Sequence, residues 1–292
     1  MELLPPEIIL GMVEQHMNMA TAMQFMRTSK TYEASICKAQ VAARGLPPMG
    51  NILCSRGPER GMLAANTFEA ILELDLRQER IRDALRRDFL NTGSPPLLGP
   101  LTARQQERMV ELMRASLCHC DHIADMATAG SQDGSSDACS KVRRAQIEYM
   151  GSLSTEELAA LFYTVDTAGF GFIQARKYEA EDPLVWEKIT VFEECLLRHG
   201  SWFLWAHIQG GQASHATQLI SAGMKELTDW ETGKDGMLPG LRMSLVDAYR
   251  HRLEEDANDV VLEASLRDRV RSLVMAPQTE SMAGGDDSNM YT

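Results

Sequence analysis

The chain has 292 residues, a formal net charge of −12, 44% hydrophobic residues and 24% charged ones. That length supports a real core in one domain or two. The acidic balance argues against nucleic acid and anionic membrane surfaces as partners, because both are held through Lys and Arg, and no run of about 18 apolar residues exists to cross a bilayer.

The apolar residues recur at helical spacing and strand patterns are nearly absent, so an all-α fold is expected. Residues 1–44 divide into three short helices. Pro5 and Pro6 suit a first helical turn, where a missing N–H costs nothing, and Glu7 complements the helix dipole. Ile8, Ile9, Met12, Val13 and Met17 then form one stripe. Asn18 caps a second helix, from Met19 to about Arg27, and Thr28 or Ser29 caps a third, from Lys30 to about Ala43. Gly45, Pro47 and Pro48 close the unit, and residues 45–65 read as a linker.

A helical domain is expected over 66–275. Asn66 with Glu69 marks the start of a long helix, and the stretch 91–100, rich in Gly and Pro, breaks it. Thr102 with Gln105 opens the next helix, which runs to about Ala129. Residues 130–140 are small and polar, the composition of a flexible loop. Helix resumes from Lys141, and Ser154 with Glu157 restarts it. Asp182-Pro183 opens a helix that ends at the left-handed cap Gly200, and Ser201 caps the following aromatic run. Two or three more helices fill 213–274, and 276–292 lack periodicity, as a disordered tail does.

Pro5, Pro6 and Glu7 are unlike a signal peptide, and no basic n-region precedes them, so an intracellular protein of the cytoplasm and/or nucleus is expected. Its six cysteines are then expected as free thiols.

Several stretches invite chemistry. Residues 118–122, Cys-His-Cys-Asp-His, carry zinc-ligand types. On a helix, however, Cys118 and Cys120 point about 200° apart, and no second Cys/His pair follows at finger-like spacing. The expectation is no metal, a packed Cys118 and partly exposed histidines. The run 232–236 holds a Gly-Lys without the spacing of a phosphate loop and reads as a turn. Glu156-Glu157 and Glu193-Glu194 are adjacent on helices and should splay apart. The basic run 80–87 is interrupted by Asp83 and reads as a solvated helix face. No Ser/His/Asp or Cys/His set has catalytic spacing, so neither enzymatic activity nor a cofactor is expected. Trp202 and Trp205 share one helix face; core packing is the first reading and a target-binding anchor the sharper one.

The opening residues carry a resemblance. Leu4-Pro5-x-Glu7-Ile8-Ile9, then Met12-Val13, Met17, Met23 and Thr28-Ser29-Lys30 resemble an F-box over residues 3–43. The stretches behind it look like the helical segments of filamentous-fungal F-box-like proteins. Met stands at 12, 17, 19 and 23 where the family carries Leu. The resemblance implies a non-enzymatic adaptor. The F-box would bind a Skp-family adaptor and, through it, a cullin–RING ubiquitin ligase, while the helical domain would hold an unknown protein target. Leu4, Pro5, Glu7, Ile8, Ile9 and Met12 would make the adaptor contact, with Val13, Met17, Met23, Ser29 and Lys30 completing it. Two alternatives stay open: a helical interaction scaffold unrelated to ubiquitination, whose first helix is simply core, and an enzyme with a site assembled across the later helices.

Overall fold

The computed structural model describes residues 68–95, 98–130, 136–176, 183–210, 215–232, 240–253 and 259–275. Among them the protein is all-α, as the spacing of its apolar residues predicts: eight α-helices and no strand. In chain order these are α1 (Phe68–Arg86), α2 (Ala103–Gly130), α3 (Ser136–Ser152), α4 (Thr155–Arg176), α5 (Val185–Gly210), α6 (His215–Thr232), α7 (Leu241–Arg252) and α8 (Asp259–Met275). A short 3₁₀ turn, Asp88–Leu90, follows α1. The F-box-like segment 1–44, the linker 45–65 and the tail 276–292 lie outside the described residues, as do the expected adaptor-binding side chains from Leu4 to Lys30.

Local signals place several boundaries. Thr102 and Gln105 form a reciprocal box at the start of α2: the Thr102 N–H donates to Gln105 Oε1 at 2.9 Å, and the Gln105 N–H donates back to Thr102 Oγ1 at 3.4 Å. Ser154 and Glu157 repeat it at α4, with the Ser154 N–H on Glu157 Oε2 at 2.8 Å and the Glu157 N–H on Ser154 Oγ at 3.2 Å. Each box satisfies donors that the first helical turn otherwise leaves open. The loop expected over 130–140 is shorter than its composition implies, since Ser136 already belongs to α3. Ser and Asp are as favourable at a helix start as in a loop, and composition alone does not separate the two.

Helices α2, α4 and α5 pack on one another and form the centre. Around them α1 lies on α2 and α5, α3 on α2, α6 on α5, and α8 on α2 and α4; α7 closes over α3, α4 and α5. The buried side chains form one continuous core, from Ile81 and Leu90 through Met113, Phe172 and Phe192 to Val274. At its middle, Phe172 of α4 stacks on Phe192 of α5 with centroids 4.7 Å apart, and Phe203 lies 5.0 Å from Phe192. The 3₁₀ turn reaches this cluster only because α4 carries glycine at 171, where a Cβ would sit 2.1 Å from the Phe89 carbonyl oxygen. The basic run 80–87 is a helix face as expected: Ile81, Ala84 and Leu85 point into the core while Arg82, Arg86 and Arg87 are exposed.

Candidate functional site

An open groove of about 630 Å³ runs along one face of α2 and is walled by the N-terminal turns of α4 and the C-terminal end of α8. Residues Arg104, Arg108, Leu112, Ala115 and His119 of α2 line it at steps of three or four, so it follows the helix for about four turns, roughly 22 Å. Its opposite wall is Glu156, Glu157 and Ala160 from α4, with Leu273 from α8. Both capping boxes matter here, because they fix where α2 and α4 begin and hence where the two walls stand.

The inner end of the groove is polar, with a buried His119 beside an exposed Glu157. His119 is 4% exposed, and its Nδ1 lies 2.7 Å from the Tyr149 hydroxyl of α3. The Tyr149 ring also rests against His122, with centroids 4.3 Å apart. Burial lowers the His119 pKa, against the pull of Glu157, so the imidazole is neutral at physiological pH. Burial raises the Tyr149 pKa, so its hydroxyl stays protonated. Glu157 is held below the usual range by the Ser154 N–H and hydroxyl, and stays ionised. The inner end therefore presents a neutral ring beside a fixed anion.

The Cys-His-Cys-Asp-His stretch is part of this helix, and its side chains scatter as the helical period requires. Cys118 is packed, as expected, and so is Cys120. His122 is partly exposed, as expected, whereas His119 departs from that expectation, since α3 covers it through Tyr149. Among the described residues, no group of three or more His, Cys, Asp or Glu side chains has a metal-holding arrangement.

Two further polar clusters lie inside the helical packing, and neither lines the groove. In the first, Asp121 of α2 accepts the Ser201 backbone N–H at 2.6 Å and the Ser201 hydroxyl at 2.8 Å. Ser201 follows Gly200, whose φ of 66° and ψ of −161° break α5 into two helical halves where the sequence placed a helix end. Arg77 of α1 grips the neighbouring Asp125 with two hydrogen bonds, 2.8 and 2.6 Å. Burial pushes Asp121 up to about 6 despite Arg77 and Ser201.

In the second cluster Glu193 and Glu194, both 1% exposed, meet one residue of α7. The Arg242 guanidinium donates to Glu193 Oε2, and the Arg242 backbone N–H donates to Glu194 Oε2 at 2.9 Å. The two carboxylates take different ends of Arg242, one the guanidinium and the other the backbone N–H. Glu194 also takes Arg198 at 2.7 Å and Arg143 at 3.4 Å, and these cations hold it low against its burial. Glu193 is pushed up to about 7 by burial, and its Oε1 has no hydrogen-bond partner among the described residues.

The two sequence-selected tryptophans stand apart from the groove. Trp202 is half-buried on the core, edge-on to His215 at 5.8 Å, and Trp205 is half-buried beside it. Phe203 is the fully buried aromatic of that run. The most exposed large apolar side chain described is Trp186, 66% exposed, in the first turn of α5. The His119–Tyr149 pair also escaped the sequence reading, because nothing in local spacing joins two positions 30 residues apart.

Comparison with protein-family models, curated proteins and solved structures gave no match. No described helix is long and apolar enough to cross a membrane.

Proposed function

We propose that this chain is a substrate-recognition adaptor of a Skp–cullin–F-box ubiquitin ligase. The observation that carries the reading is the Leu4-Pro5-x-Glu7-Ile8-Ile9 run, with Ser29-Lys30 at the distance the family pattern sets. On this reading Leu4, Pro5, Ile8, Ile9 and Met12 dock on a Skp-family adaptor in the cytoplasm and/or nucleus, and the helical domain holds the protein to be modified. Such a role is positional: it raises the effective concentration of a target near the conjugating enzyme and needs no side-chain chemistry. The groove along α2 supports the second half of the proposal, since concave surfaces with apolar bases and a few placed charges are where guests bind.

The test is co-expression with the host's Skp-family adaptor and size-exclusion chromatography, for the wild type and for Leu4→Ala, Ile8→Ala. A co-eluting complex that is lost in the variant is expected, since truncating anchors of this kind costs about 1–3 kcal/mol each. A well-folded wild type that never co-elutes would leave a helical interaction scaffold with its first helix in its own core.

A further inference from the structure

The chemistry of the groove narrows the kind of guest it takes. Four carboxylates line it beside the guanidinium groups of Arg104 and Arg108; Glu156 is paired with Arg269 at 3.0 Å and Glu111 with Arg114 at 2.9 Å, which leaves Glu107 and Glu157 without an ion pair among the described residues. Neither arginine is free: Arg108 donates to the Val274 carbonyl at 3.2 Å, and Arg104 has a partner of its own. Glu111 is 65% exposed beside Arg114, so most of its carboxylate faces water.

The floor between these charges is apolar and shallow. Leu112, Ala115, Ala160 and Leu273 present short or aliphatic side chains, the surface on which the methylene stem of a Lys or Arg lies. At the inner end stand the ionised Glu157 and His119, whose Nε2 has no protein partner among the described residues. When Nδ1–H donates to the Tyr149 oxygen, Nε2 offers its lone pair to an incoming N–H. An apolar floor that ends at an ionised carboxylate, beside a neutral ring with an open Nε2, complements a cationic side chain.

We propose that the groove between α2, α4 and α8 docks a target segment through a Lys or Arg side chain. The proposal rests on the adaptor reading for the word target; the groove chemistry stands without it. The docked residue is a recognition element, distinct from the lysine that is modified.

The experiment uses the full chain and four fluorescein-labelled nonapeptide pools. Each pool is degenerate except at the centre, which is fixed as Lys, Arg, acetyl-lysine or Glu. Fluorescence polarisation is expected to show the Lys or Arg pool bound about 10-fold more tightly than the acetyl-lysine and Glu pools, the scale of one desolvated charge contact. The preference should weaken with salt. The double variant Glu107→Lys, Glu111→Lys changes two exposed positions of α2 and should abolish the preference. Ala115→Trp, at another exposed position, fills the groove without changing charge and should remove binding of every pool. Circular dichroism confirms that both variants fold. Equal binding of the Lys and acetyl-lysine pools, no binding of any pool, or binding indifferent to both variants overturns the proposal. Displacement of the bound pool by free spermidine at the peptide's own affinity would make the guest a small polyamine and overturn the peptide assignment. Because Ala115→Trp leaves residues 1–44 untouched, co-elution with the Skp-family adaptor reports separately on the adaptor reading.

Discussion

The carboxylate of Asp121 on α2 holds the start of a helix that begins 80 residues later, with Oδ1 on the Ser201 N–H and Oδ2 on the Ser201 hydroxyl. The approach depends on Gly200. Its φ of 66° lies where side chains are disfavoured, and a Cβ there would fall 2.2 Å from Asp121 Oδ1. Gly200→Ala is therefore expected to cost about 3 kcal/mol, from backbone strain and the clash together. Asp121→Ala should cost about 1–2 kcal/mol as a lost cap. Urea unfolding checks both, and a Gly200→Ala variant as stable as the wild type would show that the break in α5 relaxes freely.

Stability should fall as pH rises from about 4.5 to 7. Glu193 is pushed from an ordinary 4.5 up to about 7, and Asp121 and Asp166 from 3.8 up to about 6, in each case chiefly by burial. Across that window these three acids bind more protons in the folded chain than in the unfolded one and favour unfolding as pH rises, partly offset by His119 and His199, whose burial lowers their pKa and works the other way. Glu193 alone accounts for on the order of 3 kcal/mol. Chemical denaturation at pH 5 and pH 7.5 should show the decline, and Glu193→Gln should flatten it. An unchanged slope in the variant would assign the effect elsewhere.

Arg77→Leu strips the cation from two acids at once, Asp125 by direct bonds and Asp121 through space. The expected loss is about 3 kcal/mol, because an uncompensated carboxylate remains inside. Arg77→Leu with Asp125→Leu should recover much of it. A double variant no better than the single one would mean that Asp121, rather than Asp125, carries the dependence on Arg77.

Cys118, Cys120 and Cys195 are buried free thiols, and burial raises the pKa of Cys120 and takes Cys195 up to about 12. A thiol held protonated is a poor nucleophile. Treatment of the native chain with iodoacetamide, followed by peptide mass spectrometry, should leave these three unmodified until denaturant is added. Labelling of any of them in the native state would show that its helix opens.

Much of the helical organisation was legible because it is written locally. Thr102 with Gln105 and Ser154 with Glu157 each lie within one turn, and Gly200 with Ser201 marks a break by residue type alone. The candidate site was not legible in the same way. Its walls come from three helices, and its inner end depends on Tyr149 reaching His119 from α3. Sequence spacing drew attention to Cys118 and His122 as ligands, whereas the covered residue that opens on the groove is the histidine between the two cysteines. The same limit applies to Glu193 and Glu194: adjacency says they diverge, and only the fold shows Arg242 collecting both.

Glu194 does for α7 what Asp121 does for the second half of α5, supplying from another helix the acceptor that a helix start requires. The two links span 121 to 201 and 194 to 242, and the spans overlap. Any cut between 121 and 242 therefore severs at least one of them, leaving a carboxylate on one fragment and the helix start it serves on the other. N-terminal truncations that end inside this stretch are therefore expected to leave a helix start without the acceptor it uses in the full chain.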